Sequence, residues 1–306
     1  MTIKVLGAPG AELMANVLAG HLNATLCELE SRRFPDGESY LRLKESVEDC
    51  IVVVVASLRE PDPQALPLWF LADAARELGA RQVGLVAPYL PYMRQDKRFH
   101  PGEAVTSRTF AQFISSRFDW ITTVDPHLHR YASLSEIYTV PTQVVASAPA
   151  IARWVLAEVP QPLIVGPDSE SAQWANDVAR RVGCPAIVLD KARLGDREVE
   201  VSVPDAGAHA GRTPVLIDDI ISSARTMAAA AVRVREAFGQ APICVGVHAV
   251  FAPDALQVLR EAGAGRVVTC NTLPHSTNGI DVGPELAQSV WTALQSGWTA
   301  LRAGAR

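Results

Sequence analysis

The sequence predicts an α/β protein in two halves, each built on a mainly parallel sheet flanked by helices. Three observations carry that reading. Short aliphatic runs alternate with longer amphipathic ones. The aliphatic runs are continuous, without a polar residue at every second position, as strands covered on both faces require. Pro141, Pro149, Pro160 and Pro162 then punctuate the middle of the chain, a stretch that reads as a linker holding one helix. A length of 306 residues suits about two domains, expected at 1–145 and 146–306.

The first half opens with a strand at Ile3–Leu6, a turn at Pro9-Gly10 and a helix over Ala11–Leu22. Strands follow at Ile51–Ala56, Val83–Ala87 and Trp120–Val124, separated by amphipathic helices over Leu66–Leu78 and Ser107–Phe118. The second half repeats the alternation. Strands are expected at Pro162–Val165, Ala186–Leu189, Pro214–Ile217, Ile243–Val250 and Arg266–Cys270. Helices are expected over Ala172–Val182, Met227–Phe238 and Asp254–Ala262. Each half carries an aliphatic strand ending in acid, at Asp125 and at Asp218-Asp219.

Composition narrows the class. The chain is 48% hydrophobic and 20% charged with a net charge of −5, so neither disorder nor a generic nucleic-acid or anionic-membrane surface is expected. The five cysteines make no CxxC pair, which argues against a disulfide framework or zinc ribbon and for a reduced, cytoplasmic setting. The N-terminus lacks the apolar stretch of a signal peptide. The longest bare aliphatic run, near Ile51–Ala56, is far below the roughly 20 residues of a membrane span.

In open α/β sheets ligands bind beyond the carboxyl ends of the strands, so the residues after each strand are the candidates. Asp218-Asp219 can hold ribose hydroxyls or a hydrated cation, and Ser222-Ser223-Ala224-Arg225-Thr226 before a helix can cradle a phosphate; an acidic strand end with a Ser cap is the plainer alternative. Arg94-Gln95-Asp96-Lys97-Arg98, behind Tyr and Pro residues, suits a loop gripping an anion, or a solvated surface loop. Asp125-Pro126-His127-Leu128-His129 can meet Mg²⁺ or phosphate, or be structural. Gly166-Pro167-Asp168-Ser169-Glu170 looks like a turn with a helix cap. Lys191 and Arg193, two apart, reach one polyphosphate if their segment is extended. Arg33-Phe34-Pro35-Asp36-Gly37-Glu38 can stack on and hydrogen-bond a nucleobase, or form a β-turn with a packed Phe. Together these are the parts of phosphoryl-transfer chemistry, and no GxxxxGK[ST] pattern is present, which excludes a P-loop kinase.

Taken in order, these six motifs resemble the ribose-phosphate diphosphokinase (phosphoribosyl pyrophosphate, PRPP, synthetase) family from Arg33 to about Leu286. The resemblance implies two tandem phosphoribosyltransferase-like domains, a homo-oligomer built from dimers, and an ATP site shared between subunits. It implies Mg-ATP and ribose 5-phosphate as substrates, with Mg²⁺ the cofactor and neither nucleic acid nor membrane a partner. Phe34, Asp36 and Glu38, with Gly37 between them, would contact adenine, and Arg94, Gln95 and Asp96 would complete the ATP site. His127 would meet Mg²⁺, with Asp125 a weaker candidate and Asp168 near metal and ribose. Lys191 and Arg193 would stabilise the transition state. Asp218 and Asp219 would hold the ribose hydroxyls, and Ser222, Ser223, Ala224, Arg225 and Thr226 the 5-phosphate.

The phosphate loop departs from the family's usual Asp-Asp-x-x-Asp-Thr-x-Gly-Thr. Ser222 replaces the third Asp, Ser223 the Thr and Arg225 the Gly. Ser still donates to phosphate, whereas Arg opposes a positive φ and adds a cation. These departures keep two alternatives in view: a non-catalytic regulatory paralogue, and a same-fold enzyme acting on a different sugar phosphate.

Overall fold

The computed structural model describes residues 2–193, 199–202, 204 and 206–303. The chain forms two compact units. The first comprises Met1–Ala146, Thr272–Pro274 and Gly283–Arg306, the second Ser147–Asn271 and His275–Val282.

In the first unit β1 (Ile3–Gly7), α1 (Glu12–Leu22) and β2 (Thr25–Cys27) lead into a hairpin of β3 (Leu29–Arg33) and β4 (Ser39–Leu43). Then come β5 (Ile51–Val55), α2 (Asp62–Glu77), β6 (Gln82–Val86), α3 (Thr106–Ser115), β7 (Trp120–Val124) and β8 (Thr142–Val145). The second unit starts with α4 (Ala148–Glu158), β9 (Pro162–Gly166), α5 (Ala172–Val182) and β10 (Ala186–Val188). A ribbon of β11 (Asp190–Arg193) and β12 (Val199–Ser202) follows. The unit ends with β13 (Thr213–Ile221), α6 (Arg225–Phe238), β14 (Ile243–Ala249), α7 (Ala255–Glu261), β15 (Arg266–Cys270) and β16 (Asn278–Ile280), and α8 (Gly283–Ala303) closes the chain.

The two sheets have the same strand order, β2-β1-β5-β6-β7-β8 and β10-β9-β13-β14-β15-β16, and every pairing within them is parallel. The aliphatic strands are apolar throughout because helices cover both faces. Every residue of β5 and of β7 is buried. The first core gathers Val52, Val54, Leu71, Leu85 and Ile121; the second gathers Leu163, Val165, Leu216, Ala231 and Cys244.

The hairpins β3–β4 and β11–β12 occupy the same place in each unit's sequence of elements and are antiparallel. Neither shows the continuous apolar pattern of a buried strand. β3 reads Leu-Glu-Ser-Arg-Arg with its last three residues exposed, as a ribbon outside the sheet allows.

Two boundaries differ from the sequence expectation. β13 runs nine residues, to Ile221, not four, so Asp218 and Asp219 lie inside the strand near its carboxyl end. Hydrophobic pattern alone ends at Ile217, but the backbone ladder continues, with Asp218 opposite Gly246 and Ile220 opposite His248. The C-terminal helix α8, placed in the second half by the 145/146 division, packs on α1, β7 and β8 of the first unit. Its buried Leu286, Val290 and Leu294 form the stripe that seats it. In the second unit α4 packs on α5 and β16, the corresponding elements.

Gly84 shows how tightly the first sheet is closed. It stands opposite Trp120, and a Cβ there would lie 2.0 Å from the Trp120 ring. Trp120 is 1% exposed and has nowhere to move. Gly84→Ala is therefore expected to destabilise the fold by about 1–3 kcal/mol, the usual cost of overpacking; urea denaturation measures it, and an unchanged midpoint and slope would contradict this packing.

Candidate active site

In the second unit the chain extends the sheet first from β9 to β10 on one side, then from β13 to β14 on the other. The crevice at the carboxyl ends of β9 and β13 is thus a topological switch point, where open α/β sheets bind ligands. Asp168 follows β9, and Asp218 and Asp219 lie near the carboxyl end of β13. Asp219 is 6% exposed and Asp218 partly buried. Burial first, then the negative charges of Asp219 and Asp168, push the Asp218 carboxyl up to about 8. The Asp219 backbone N–H, which donates to Asp218 Oδ1 at 3.0 Å, opposes that rise only in part.

Asp168 also organises its own turn. Its Oδ1 accepts from the N–H groups of Glu170 at 3.2 Å and Ser171 at 3.3 Å. Ser171 Oγ donates back to the Asp168 carbonyl at 2.7 Å and accepts from the Asp168 N–H at 3.2 Å. The turn expected of this segment is thus present, although α5, which starts after Ser171, has no side-chain cap; the same carboxylate adds its charge to the crevice.

Beyond β13, Ser222 is half-buried and Ser223 exposed, followed by Ala224 in the left-handed region (φ 60°) and then α6. Arg225 is the first residue of α6 and is exposed. The positive φ that favours glycine falls on Ala224, not on Arg225, so arginine costs no backbone strain at its position. α6 has no side-chain cap, and its first-turn N–H groups carry the partial positive charge that attracts a phosphate. Lys191 and Arg193 lie on β11, opposite Val201 and Val199, so their segment is extended; their side chains lie outside the described residues.

In the first unit the Phe34–Glu38 segment is the tip of the β3–β4 hairpin. Phe34 N–H donates to the Glu38 carbonyl at 2.8 Å and Gly37 N–H to the Phe34 carbonyl at 2.9 Å. Gly37 has φ +93°, a conformation open to glycine. Asp36 Oδ1 accepts the Glu38 N–H at 3.1 Å. Phe34 stays 39% exposed, edge-on to Tyr40 at 6.1 Å, with the Arg32 guanidinium 4.6 Å from its ring centroid. The segment is thus a turn with a partly packed Phe whose ring stays partly exposed.

Within Arg94-Gln95-Asp96, only Arg94 is exposed. The Asp96 side chain is 3% exposed and pairs with Arg130 Nη1 at 2.8 Å. Tyr131 OH donates to the Asp96 carbonyl at 3.0 Å, and Thr106 Oγ1 donates to Gln95 Oε1 at 3.2 Å. The Arg130 and Tyr131 bonds fasten the loop after β6 to the loop after β7, which carries His127, and the Thr106 bond ties it to the start of α3. There the His127 and His129 Nε2 atoms are 2.6 Å apart, so one of the two nitrogens bears the proton. Asp125 is half-buried with φ 33°. The start of α2 ties in both of these segments. Pro63 carbonyl accepts from Arg33 Nη2 at 3.3 Å, and Asp62 accepts from Tyr92 OH. Burial first and the Asp62 bond second push the Tyr92 phenol up to about 12.

Sequence reading missed Arg130, Tyr131, Arg32 and Ser171. Only Ser171 had a local signal, the Asp-x-x-Ser spacing of a capping turn. Arg130 is 34 residues from Asp96, a pairing no spacing rule reveals. Among the described residues no group of three or more His, Cys, Asp or Glu side chains is assembled to hold a metal. The donors present are oxygen-rich and mutually repelling around Asp218, which suits a hard cation held by one or two carboxylates together with substrate phosphates.

Two tandem units of this topology, each with a hairpin before its fifth strand, and a hydroxyl-rich loop after β13 of the second, define a phosphoribosyltransferase-type protein. The phosphoribosyl transferase domain model matches residues 133–288, and the model for the N-terminal domain of ribose phosphate pyrophosphokinase matches residues 3–117. The chain belongs to the ribose-phosphate pyrophosphokinase family. Among its relatives, the ribose-phosphate pyrophosphokinase of Methanothermobacter thermautotrophicus is 33% identical over 92% of this chain and 98% of its own length. That of Sulfolobus acidocaldarius is 30% identical over 94% and 99%. The crystal structure of phosphoribosylpyrophosphate synthetase from Mycobacterium smegmatis shares the fold, with a TM-score of 0.82 at 24% identity over 97% of this chain and all of that one.

The raised Asp218 carboxyl has a stability consequence. Its folded value, about 8, lies above its ordinary 3.8, so between these values the folded protein holds a proton that the unfolded chain has lost. The contribution of this group is fully present below pH about 4 and is lost as pH rises toward 8. Asp218→Asn removes the ionisation, so its Tm advantage over wild type is expected to be small at pH 5 and larger at pH 8. Thermal denaturation at both pH values checks this, and an equal gap would refute it. Arg130→Met, which strands the buried Asp96 charge, is expected to cost about 1–3 kcal/mol by urea denaturation; no loss would show that Arg130 does not hold this loop.

Proposed function

We infer that this chain is a ribose-phosphate diphosphokinase, moving the β,γ-diphosphoryl group of ATP to O1 of ribose 5-phosphate to give PRPP and AMP. Near-full-length kinship with proteins of that name supports the reaction. The observation that carries the site is the crevice after β9 and β13, where Asp168, Asp218 and Asp219 meet a hydroxyl-rich helix start.

Asp218 and Asp219 accept hydrogen bonds from the ribose 2- and 3-hydroxyls, which fixes the sugar ring. Ser222 to Thr226 hold the 5-phosphate with hydroxyls and first-turn N–H groups, and Arg225 adds a cation. Phe34 stacks on adenine while Asp36 and Glu38 accept from its polar edge; Arg94 grips the phosphate chain. Asp96 and Gln95 act as positioning residues, because their side chains hold the loop. O1 of the sugar attacks the β-phosphorus, the bond to the α,β-bridging oxygen breaks, AMP leaves and the O1 proton is lost. Lys191 and Arg193 neutralise the charge on the transferred group. Mg²⁺ would supply charge neutralisation of the phosphates, and Asp168, His127 and, more weakly, Asp125 are the residues that would meet it.

The ATP site is shared between neighbouring subunits of a homo-oligomer built from dimers, which the exposed Phe34 at the hairpin tip supports. A cytoplasmic, reduced setting is supported by five free cysteines. Among the described residues no helix is long and apolar enough to cross a membrane.

Phosphorus NMR of the protein with Mg-ATP and ribose 5-phosphate is expected to show stoichiometric AMP and PRPP. ADP in place of AMP would overturn the reaction. Lys191→Ala and Arg193→Ala are each expected to lower kcat by about 10²–10³ with little change in KM, as for lost transition-state charge stabilisation. Full turnover by Lys191→Ala would sink that role.

A further inference from the structure

The first unit repeats the strand order of the second, so it has a switch point of its own, between β1 and β5. The connections β1–α1–β2 and β5–α2–β6 leave in opposite directions, and the crevice at the two strand ends is left open. Here it deepens into a cavity of about 270 Å³. Ala8 and Ala56, just past β1 and β5, form its floor; Arg32, Arg33 and Ser39 of the hairpin and Gln64 of α2 form its walls. The lining holds two arginines and no carboxylate.

Both arginines are set in place by neutral groups. Arg32 lies over the rings of Phe34 and Tyr40, at 4.6 and 4.2 Å from their centroids. Arg33 donates to the carbonyls of Gly37 at 2.9 Å and Pro63 at 3.3 Å. Ring faces and carbonyls orient a guanidinium without cancelling its charge, so the lining of the crevice keeps both positive charges. The protein as a whole is acidic, at −5, which makes two cations on one cavity wall a local feature.

The size and chemistry restrict the ligand. A cavity of about 270 Å³ is below the usual range for drug-sized ligands. The strand end that carries the acid pair in the second unit carries Ala56-Ser57-Leu58 here, so nothing at that position grips a sugar diol. We propose that this crevice is a second anion site, taking inorganic phosphate or a small phosphate monoester, distinct from the crevice of the second unit and independent of the activity inferred for it. The common chemistry is a phosphate oxyanion held by a pre-set guanidinium with Ser39 and Gln64 as further donors.

The test uses the full chain carrying Ser223→Asp, which places a carboxylate in the phosphate loop of the second unit and blocks phosphate there. Calorimetric titration with inorganic phosphate, and separately with ribose 5-phosphate, is expected to leave about one binding event per chain. Adding Arg32→Gln, or Gln64→Glu, is expected to weaken that event at least about tenfold, the effect of one charge-assisted bond. Binding of phosphate but not of the ester assigns the site to the inorganic ion, and binding of both assigns it to monoesters as well. No binding in the Ser223→Asp protein overturns the proposal, as does binding untouched by both second substitutions. Circular dichroism checks each variant's fold, and Gln64→Glu decides alone if Arg32→Gln does not fold.

Discussion

A parallel sheet that grows in two directions from one strand must leave a crevice at the point of reversal. The crossover connections there leave in opposite directions, so neither covers the strand ends between them. In the second unit this constraint places Asp168, Asp218 and Asp219 side by side and points the start of α6 at the same opening. Everything assigned to the sugar-binding half follows from that placement. The same reversal in the first unit produces the arginine-lined cavity, with a hairpin standing beside it in the way the β11–β12 ribbon follows β10.

The crevice is built at a cost to the fold. Burial raises the Asp218 carboxyl, and the neighbouring carboxylates of Asp219 and Asp168 raise it further. A sequence selected for stability alone would place an amide or an apolar residue there. Retaining the acids makes the empty crevice repulsive and gives a sugar hydroxyl or a cation something to relieve. The loops of the first unit follow the opposite policy: Asp96 is matched by Arg130, and Tyr92 and Arg33 are both anchored to the start of α2. Those bonds hold the loops that present Arg94 and Phe34, the exposed members of their motifs.

Much of this was legible in the residues. The continuous aliphatic runs at Ile51–Val55 and Trp120–Val124 identify buried parallel strands, and the ordered motifs identify the family. What escaped was either too short or too polar for periodicity. β2 and β16 have three residues each, and β3 alternates weakly because it is outside the sheet. β13 looked short because two acids interrupt its apolar pattern while its backbone ladder runs on. Arg130 escaped for a different cause: a buried carboxylate demands a cation, but only the folded chain says which one.

The placement of α8 bears on how the molecule comes into being. This helix is synthesised after the residues of the second unit, yet it packs against α1, β7 and β8 of the first unit. The second unit, from Ser147 to Val282, takes its corresponding helix, α4, from the start of its own sequence. Domains ordinarily fold in the order in which they leave the ribosome. Here the order of completion is inverted: the second unit has all its parts while the first still waits for its last helix, with the apolar face that receives Leu286, Val290 and Leu294 open to the solvent and to the cell's chaperones.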